Sequence, residues 1–246
     1  MDRLIYTAVS GMSDSMIRQR AIASNLANSQ TIGFRAETFD STPVSITSPS
    51  TVDVRTMVTT GVLGADMTAG SFVETGRTLD LAVEGDAMIT VQASDGTEAY
   101  TRRGDLSISP TGVLVNGDGR PVMGEGGPIS IPPGGDVSIS PDGSILLANA
   151  ENPELPPQVV DRIKLGSWQG SSIVKGMDGL FRVRDGGVLP TDETATVRSG
   201  SLEQSNVDVT GILVQMVEAQ RLFDMRTKLV ASAKELDESG ASLMRL

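Results

Sequence analysis

Two stretches of the chain carry apolar residues at helical spacing, and the stretch between them alternates at strand spacing. Near the start, Ile5, Val9, Met12, Met16, Gln19, Ala23 and Leu26 recur at intervals of four and three, a heptad seam with one polar position at Gln19. Near the end, Val209, Leu213, Met216, Gln220, Phe223, Thr227 and Val230 repeat that spacing, and the register then slips to Leu229, Ala233, Leu236 and Leu243. Residues 12–32 and 212–239 contain neither Gly nor Pro, whereas 22 of the 27 glycines fall between Gly61 and Gly187. A helix interior loses about 1 kcal/mol to each Gly and about 3 to each Pro relative to Ala. The pattern predicts an α+β fold: helices at both termini forming a coiled-coil-like pair, and a β-rich middle. Ser205-Asn206-Val207-Asp208 reads as a capping box that opens the last helix.

Turn chemistry divides the middle. Ser107-Ile108-Ser109-Pro110-Thr111-Gly112 recurs as Ser138-Ile139-Ser140-Pro141-Asp142-Gly143, and each reads as a strand, a Pro-X-Gly turn and a second strand. Asn116-Gly117-Asp118-Gly119 reads as a tight turn, since no Glu closes a calcium loop and Val122 stands where a dinucleotide loop needs Gly.

Composition narrows the chemistry. The 246 residues include no His and no Cys, which excludes imidazole and thiolate metal sites, Ser-His-Asp triads, Cys nucleophiles and disulfides. No cofactor site is predicted. The net charge of −11 and the scarcity of aromatics disfavour nucleic acid as a partner. The first residues lack the apolar core of a cleaved secretory signal, and no apolar run approaches the roughly 18 residues of a membrane span, so no membrane insertion is expected. Residues 36–200 hold the whole acidic excess, at −11, while residues 1–35 and 201–246 carry +2 and −2. Near-neutral helical ends suit packing against copies of themselves.

Asp80, Glu84 and Asp86 form a local acidic cluster that raises a carboxylate hydrolase acting on a glycan as an alternative. Without a second cluster or an aromatic platform, solvated loop edges account for it better, and no catalytic residue is assigned. Arg102-Arg103 could anchor a neighbour's carboxylates or pair within its own sheet. The two tails carry a different kind of signal. Ordering a helix costs about 1–2 kcal/mol per residue, and a covered seam side chain returns about 1.5–3 kcal/mol. Two tails packed only on each other are therefore marginal, and helices from other subunits would tip them to folded.

Several segments then match a known family. Asn25-Leu26-Ala27-Asn28, Thr31 and Gly33-Phe34-Arg35 follow Ala8-Val9-Ser10-Gly11-Met12. Gly76 through Gly85 leads to Tyr100-Thr101-Arg102-Arg103-Gly104, and Gly200-Ser201-Leu202-Glu203-Gln204-Ser205-Asn206-Val207-Asp208 continues into Gln220-Arg221-Leu222-Phe223. In these segments the chain resembles the flagellar basal-body rod and hook family, and its opening, Met1-Asp2-Arg3-Leu4-Ile5-Tyr6-Thr7-Ala8, looks like the proximal-rod members rather than the distal-rod or hook ones. The resemblance implies a non-enzymatic structural subunit of the bacterial flagellum's basal body. It would be exported by the flagellar type III apparatus and would sit in the rod that spans the periplasm. Its partners would be other proximal and distal rod proteins and further copies of itself.

The expected division is a helical inner-tube domain from residues 1–30 and 205–246, an extended connector over 31–75, and a β-rich outer domain over 76–200. The expected subunit contacts are Ile5, Val9, Met12, Met16, Leu26, Leu213, Met216, Gln220, Phe223 and Val230 on the seams. Asn25, Asn28, Gly33 and Phe34 join them at the turn out of the first helix, where Asn can bond freed backbone groups and Gly33 can take a left-handed C-cap.

Overall fold

The computed structural model describes residues 2–46, 55–149 and 156–243. The first helix, α1, spans Asp2–Ala27, and the last, α2, spans Val209–Leu243. Between them run β1 (Glu37–Ile46), β2 (Arg55–Ala65), β3 (Phe72–Glu74), β4 (Leu81–Val83), β5 (Ala87–Gln92), β6 (Glu98–Thr101), β7 (Ser107–Ile108) and β8 (Leu114–Val115). These are followed by β9 (Gly135–Ile139), β10 (Ser144–Asn149), β11 (Gln158–Arg162), β12 (Leu165–Ser167), β13 (Ile173–Lys175), β14 (Phe181–Val183), β15 (Val197–Ser199) and β16 (Ser201–Glu203). Helix, sheet and helix follow one another as the glycine distribution predicts, and the class is α+β.

The chain divides into two compact units. One is drawn from residues 1–29, 37–66 and 207–246, and the other from 30–36 and 67–206. In the first, α1 and α2 run antiparallel, with Ile22 beside Ile212 and Ala219 and with Arg226 bonded to Gly11 and Asp14. The β1–β2 hairpin groups with these helices: Phe39 packs with Leu26 and Val207 around Ile22, and Arg18 stacks 4.7 Å from the Phe39 ring centroid. In sequence this hairpin falls within the stretch expected to be an extended connector, and its two strands pair over their whole length with one bulge at Thr38/Phe39.

The second unit is an antiparallel β assembly. A five-stranded sheet, in the order β12-β5-β6-β14-β13, adjoins a three-stranded sheet, β11-β10-β9, and the pairs β15-β4, β16-β3 and β7-β8. The core is built from apolar residues of the strands and the loops between them, among them Leu81, Ile89, Leu106, Leu114, Ile129, Ile145, Ile163 and Leu165, all essentially sealed from solvent. Both repeated turns form as predicted. Gly112 and Gly143 take φ of 82° and 83°, and their amides bond the carbonyls of Ser109 and Ser140 at 2.9 Å in each case. Gly119 likewise closes the Asn116 turn, with the Asn116 side-chain oxygen accepting from the amides of Asp118 and Arg120.

The start of α2 corrects the capping prediction. The helix begins at Val209, and Asp208 is its cap: the carboxylate accepts from the amides of Thr210 at 3.0 Å and Gly211 at 3.1 Å. Asn206 lies before the helix and is used elsewhere. Its side-chain oxygen takes the Ala36 amide at 2.7 Å, and its amide nitrogen donates to the Thr68 carbonyl at 3.0 Å.

Candidate assembly surface

In the helical unit the apolar and polar faces lie opposite to the arrangement of an ordinary globular pair. The positions of α2 that meet α1 include Ile212, Ala219, Arg226 and Thr227. Their partners on α1 are mainly polar or small. The Arg226 guanidinium donates to the Gly11 carbonyl and the Ser15 hydroxyl, and it lies 3.2 Å from the Asp14 carboxylate. Asp14 and Ser15 are buried there, and Gln19 reaches the Ala219 carbonyl at 3.4 Å. Among the described residues, three buried apolar side chains, Ile22, Ile212 and Ala219, anchor this unit's cluster, against nineteen in the cluster of the β unit.

Large apolar residues of the same helices face outward. Val9 and Met16 on α1 are 49% and 59% exposed. On α2 they form two flanks beside the α1-facing stripe. Val209, Leu213, Met216 and Val217 make one, and Val214, Met225 and Leu229 make the other, all at least 41% exposed. A helix apolar on three sides is ordinarily a buried helix, and α1 covers one side of α2.

The predicted contact residues fall on both kinds of surface. Val9, Met16, Leu213, Met216 and Gln220 are exposed, while Met12, Leu26, Phe223 and Val230 are half-buried; the side chain of Ile5 lies outside the described residues. The predicted seam of α1 therefore meets α2 only in part: Met12 and Gln19 reach Thr227 and Ala219, and Leu26 packs on the Ile22 cluster, while Val9 and Met16 face outward and the polar Asp14 and Ser15, which the seam omits, hold Arg226. Asn25 and Asn28 both bond backbone. Asn28 donates from its side chain to the Ser24 carbonyl at 2.9 Å, which also accepts the Asn28 backbone amide at 3.0 Å. Asn25 instead clasps β1, accepting from the Glu37 amide at 2.7 Å and donating to its carbonyl at 3.0 Å.

Gly33 and Phe34 belong to a junction that sequence reasoning missed. Gly33 is left-handed, with φ of 66°, but it stands six residues past α1 and caps nothing. Its amide bonds the Glu203 carbonyl at 2.8 Å, and a Cβ there would meet the Arg102 carbonyl at 2.4 Å. That close approach is what requires glycine. Phe34 lies under Lys175, whose ammonium is 3.4 Å from the ring centroid and donates to the Arg35 carbonyl at 2.9 Å.

Arg35 then enters a sealed ion network. Its Nη1 is 2.6 Å from Glu203 Oε1 and 2.7 Å from the Thr68 carbonyl. Arg102 approaches the other oxygen, Glu203 Oε2, at 3.2 Å, and also donates to the carbonyls of Val83 and Gly85. The Gly70 amide completes the set at 2.8 Å from Glu203 Oε1. Burial pushes the Arg102 guanidinium below its ordinary range, against the pull of Glu203. Arg103 pairs with Asp105 at 2.8 Å and Asp118 at 2.6 Å, and the Asp105 hydrogen bond raises it. Of the two alternatives left open by the sequence, both arginines pair within their own unit.

The acidic cluster is likewise structural. Asp80 is buried and accepts from the Thr75 hydroxyl at 2.6 Å. Glu84 bonds Thr196 at 3.0 Å and Arg198 at 2.8 Å, and these two hydrogen bonds hold its carboxyl below the usual range, the reverse of what a general acid needs. Asp86 accepts from Gln169. Among the described residues no cluster of ligand side chains could hold a metal, and no helix is long and apolar enough to cross a membrane.

Three family models match along the chain. The "Flagella basal body rod protein" model covers residues 5–35, the "Flagellar hook protein FlgE/F/G D1 domain" model 82–147, and the "Flagellar basal body rod FlgEFG protein C-terminal" model 198–243. Arg35 lies in the first, Arg102 in the second and Glu203 in the third, so the ion network joins all three. The chain is 39% identical to the flagellar basal-body rod protein FlgF of Salmonella typhimurium over all of both chains. It is 40% identical to FlgF of Escherichia coli over 96% of this chain and 95% of that one. It is 29% identical to the basal-body rod protein FlgG of Bacillus subtilis over all of both. Matches of this extent to structural rod proteins leave the glycan-hydrolase alternative without support, and the chain belongs to the FlgF group of flagellar basal-body rod proteins, structural subunits of the rod rather than enzymes.

Proposed function

We propose that this rod subunit assembles through the two bare apolar flanks of α2 and the outward seam of α1, with the terminal helices of other rod subunits as the occupants. The observation that carries this reading is the inverted helical unit: a polar α1–α2 contact inside, and Leu213, Met216, Met225, Leu229 and Met16 outside. The two flanks of α2 differ in sequence and lie on opposite sides of the α1 stripe. They therefore take different neighbours, and association by unlike faces propagates rather than closing into a dimer. Such contacts pass torque through many interdigitated side chains instead of one strong bond. The helical domain of residues 1–30 and 205–246 would line the tube, the β-rich domain over 76–200 would stand outside it, and the place in the rod would be proximal, next to other rod proteins. Arrival by the flagellar type III export route, without nucleic acid as a partner, belongs to the same reading.

Limited proteolysis of the purified lone chain tests it. With polar side chains at the described α1–α2 contact, α1 and α2 are expected to be cleaved first, leaving a resistant, mainly β fragment of about residues 67–206. Helices that outlast the β unit under the same protease would mean that they need no neighbours.

A further inference from the structure

We infer that residues 33–36 form a detachable strap on the β unit, latched by the Arg35–Glu203 pair, with Glu203 as the fixed half of the latch. The inference rests on the fold alone and does not depend on the assembly reading.

The strap is held chiefly by polar contacts. Its bonds are the Gly33 amide to the Glu203 carbonyl at 2.8 Å, the Ala36 amide to Asn206 Oδ1 at 2.7 Å, and the Phe34 carbonyl to the Asn206 amide at 3.3 Å. Lys175 covers Phe34 and takes the Arg35 carbonyl. None of the strap's residues belongs to the apolar core of the β unit. What seals it is charge: Arg35 and Glu203 are both fully buried, 2.6 Å apart.

The two arginines on Glu203 are not equivalent. Arg102 follows β6 directly and keeps two backbone acceptors, Val83 and Gly85, whether or not the strap is present. Glu203 ends β16 and keeps both Arg102 and the Gly70 amide. The β unit thus contains a complete one-to-one pair without Arg35. Arg35 has no such reserve: among the described residues its bonds are Glu203 and the Thr68 carbonyl, and its Nη2 finds no acceptor. Removing the Arg35 charge leaves a balanced pair behind, whereas removing that of Glu203 leaves two buried cations. A latch with this asymmetry opens on the strap side. The partners are 168 positions apart in the chain, so the strap can close only after residues 200–206 are in place beside β3.

Hydrogen exchange on the full-length chain with the substitution Arg35→Met decides the matter. The amides of Gly33, Ala36 and Asn206 are expected to exchange about tenfold faster, while those of Gly70, Leu81, Thr90 and Leu114, which bond within the rest of the β unit, change by less than about twofold. Lys175→Met, which removes the cover over Phe34, is expected to speed the Gly33, Ala36 and Asn206 amides with a smaller factor, and Arg35→Lys to retain part of the protection. Acceleration of all these amides together, failure of the Arg35→Met chain to fold, or no change at the strap would each overturn the inference.

Discussion

Replacing Leu213 and Val217 by Asp is expected to abolish swimming and incorporation into basal bodies while leaving the thermal unfolding of the isolated chain unchanged. Both residues are about half exposed in the lone chain, and exposed substitutions of this kind shift stability by no more than about 0.5 kcal/mol. In the proposed assembly the same positions are covered by a neighbour's helix. A carboxylate there is desolvated without a partner, and each such group costs several kcal/mol, on the order of 3–5. Every contact between subunits along that flank is penalised alike. The pair Leu213→Ala and Val217→Ala would be milder, since it loses apolar area without adding charge. Complementation of a strain lacking the protein, scored by motility and by the amount of the variant in purified basal bodies, measures the effect. Wild-type swimming by the double Asp variant would remove this flank from the interface.

Glu203→Gln is expected to be the most damaging single substitution in the β unit. The side chain is almost isosteric, so packing is preserved and the loss is electrostatic. It leaves Arg35 and Arg102 buried with no counter-charge, and breaking a buried ion network from one side costs about 3–5 kcal/mol. Against a total stability on the order of 5–15 kcal/mol for a domain, that is a large fraction. Urea unfolding followed by Trp168 fluorescence would show the midpoint fall sharply with little change in slope. Arg35→Met, by contrast, leaves one balanced pair and should move this transition far less. Equal midpoints for the two variants would contradict the assignment of Glu203 as the centre of the network.

These two sites differ in how much of them could be read from the sequence. The helix-sheet-helix order was legible because glycine and proline act locally, and the Pro-X-Gly turns at Ser109 and Ser140 were legible for the same reason. The α1–α2 contact was not. Its stripe contains Asp14, Ser15 and Arg226, and hydrophobic periodicity cannot detect a polar stripe. The apolar seam it does detect, through Val9, Met16, Leu213 and Met216, lies largely on the outside of the pair. Of the capping box read over Ser205–Asp208, the Asp208 carboxylate caps as expected, but the helix opens at Val209, after the box rather than within it, and Asn206 is committed to Ala36 and Thr68. The Arg35–Glu203–Arg102 network left only a faint trace, the adjacent pair Arg102-Arg103. Charge partners at such separations are set by the sheet topology and not by any local spacing.

Site-specific photocrosslinking in intact basal bodies tests the central claim most directly. A photoreactive residue placed at Leu213 or Met216 on one flank, or at Met225 or Leu229 on the other, is expected to join this chain to the terminal helices of rod subunits, with different joined segments from the two flanks. Met177, 96% exposed at a hairpin tip of the β unit, serves as the comparison. Joined products from Met177 but none from either flank of α2 would contradict the account.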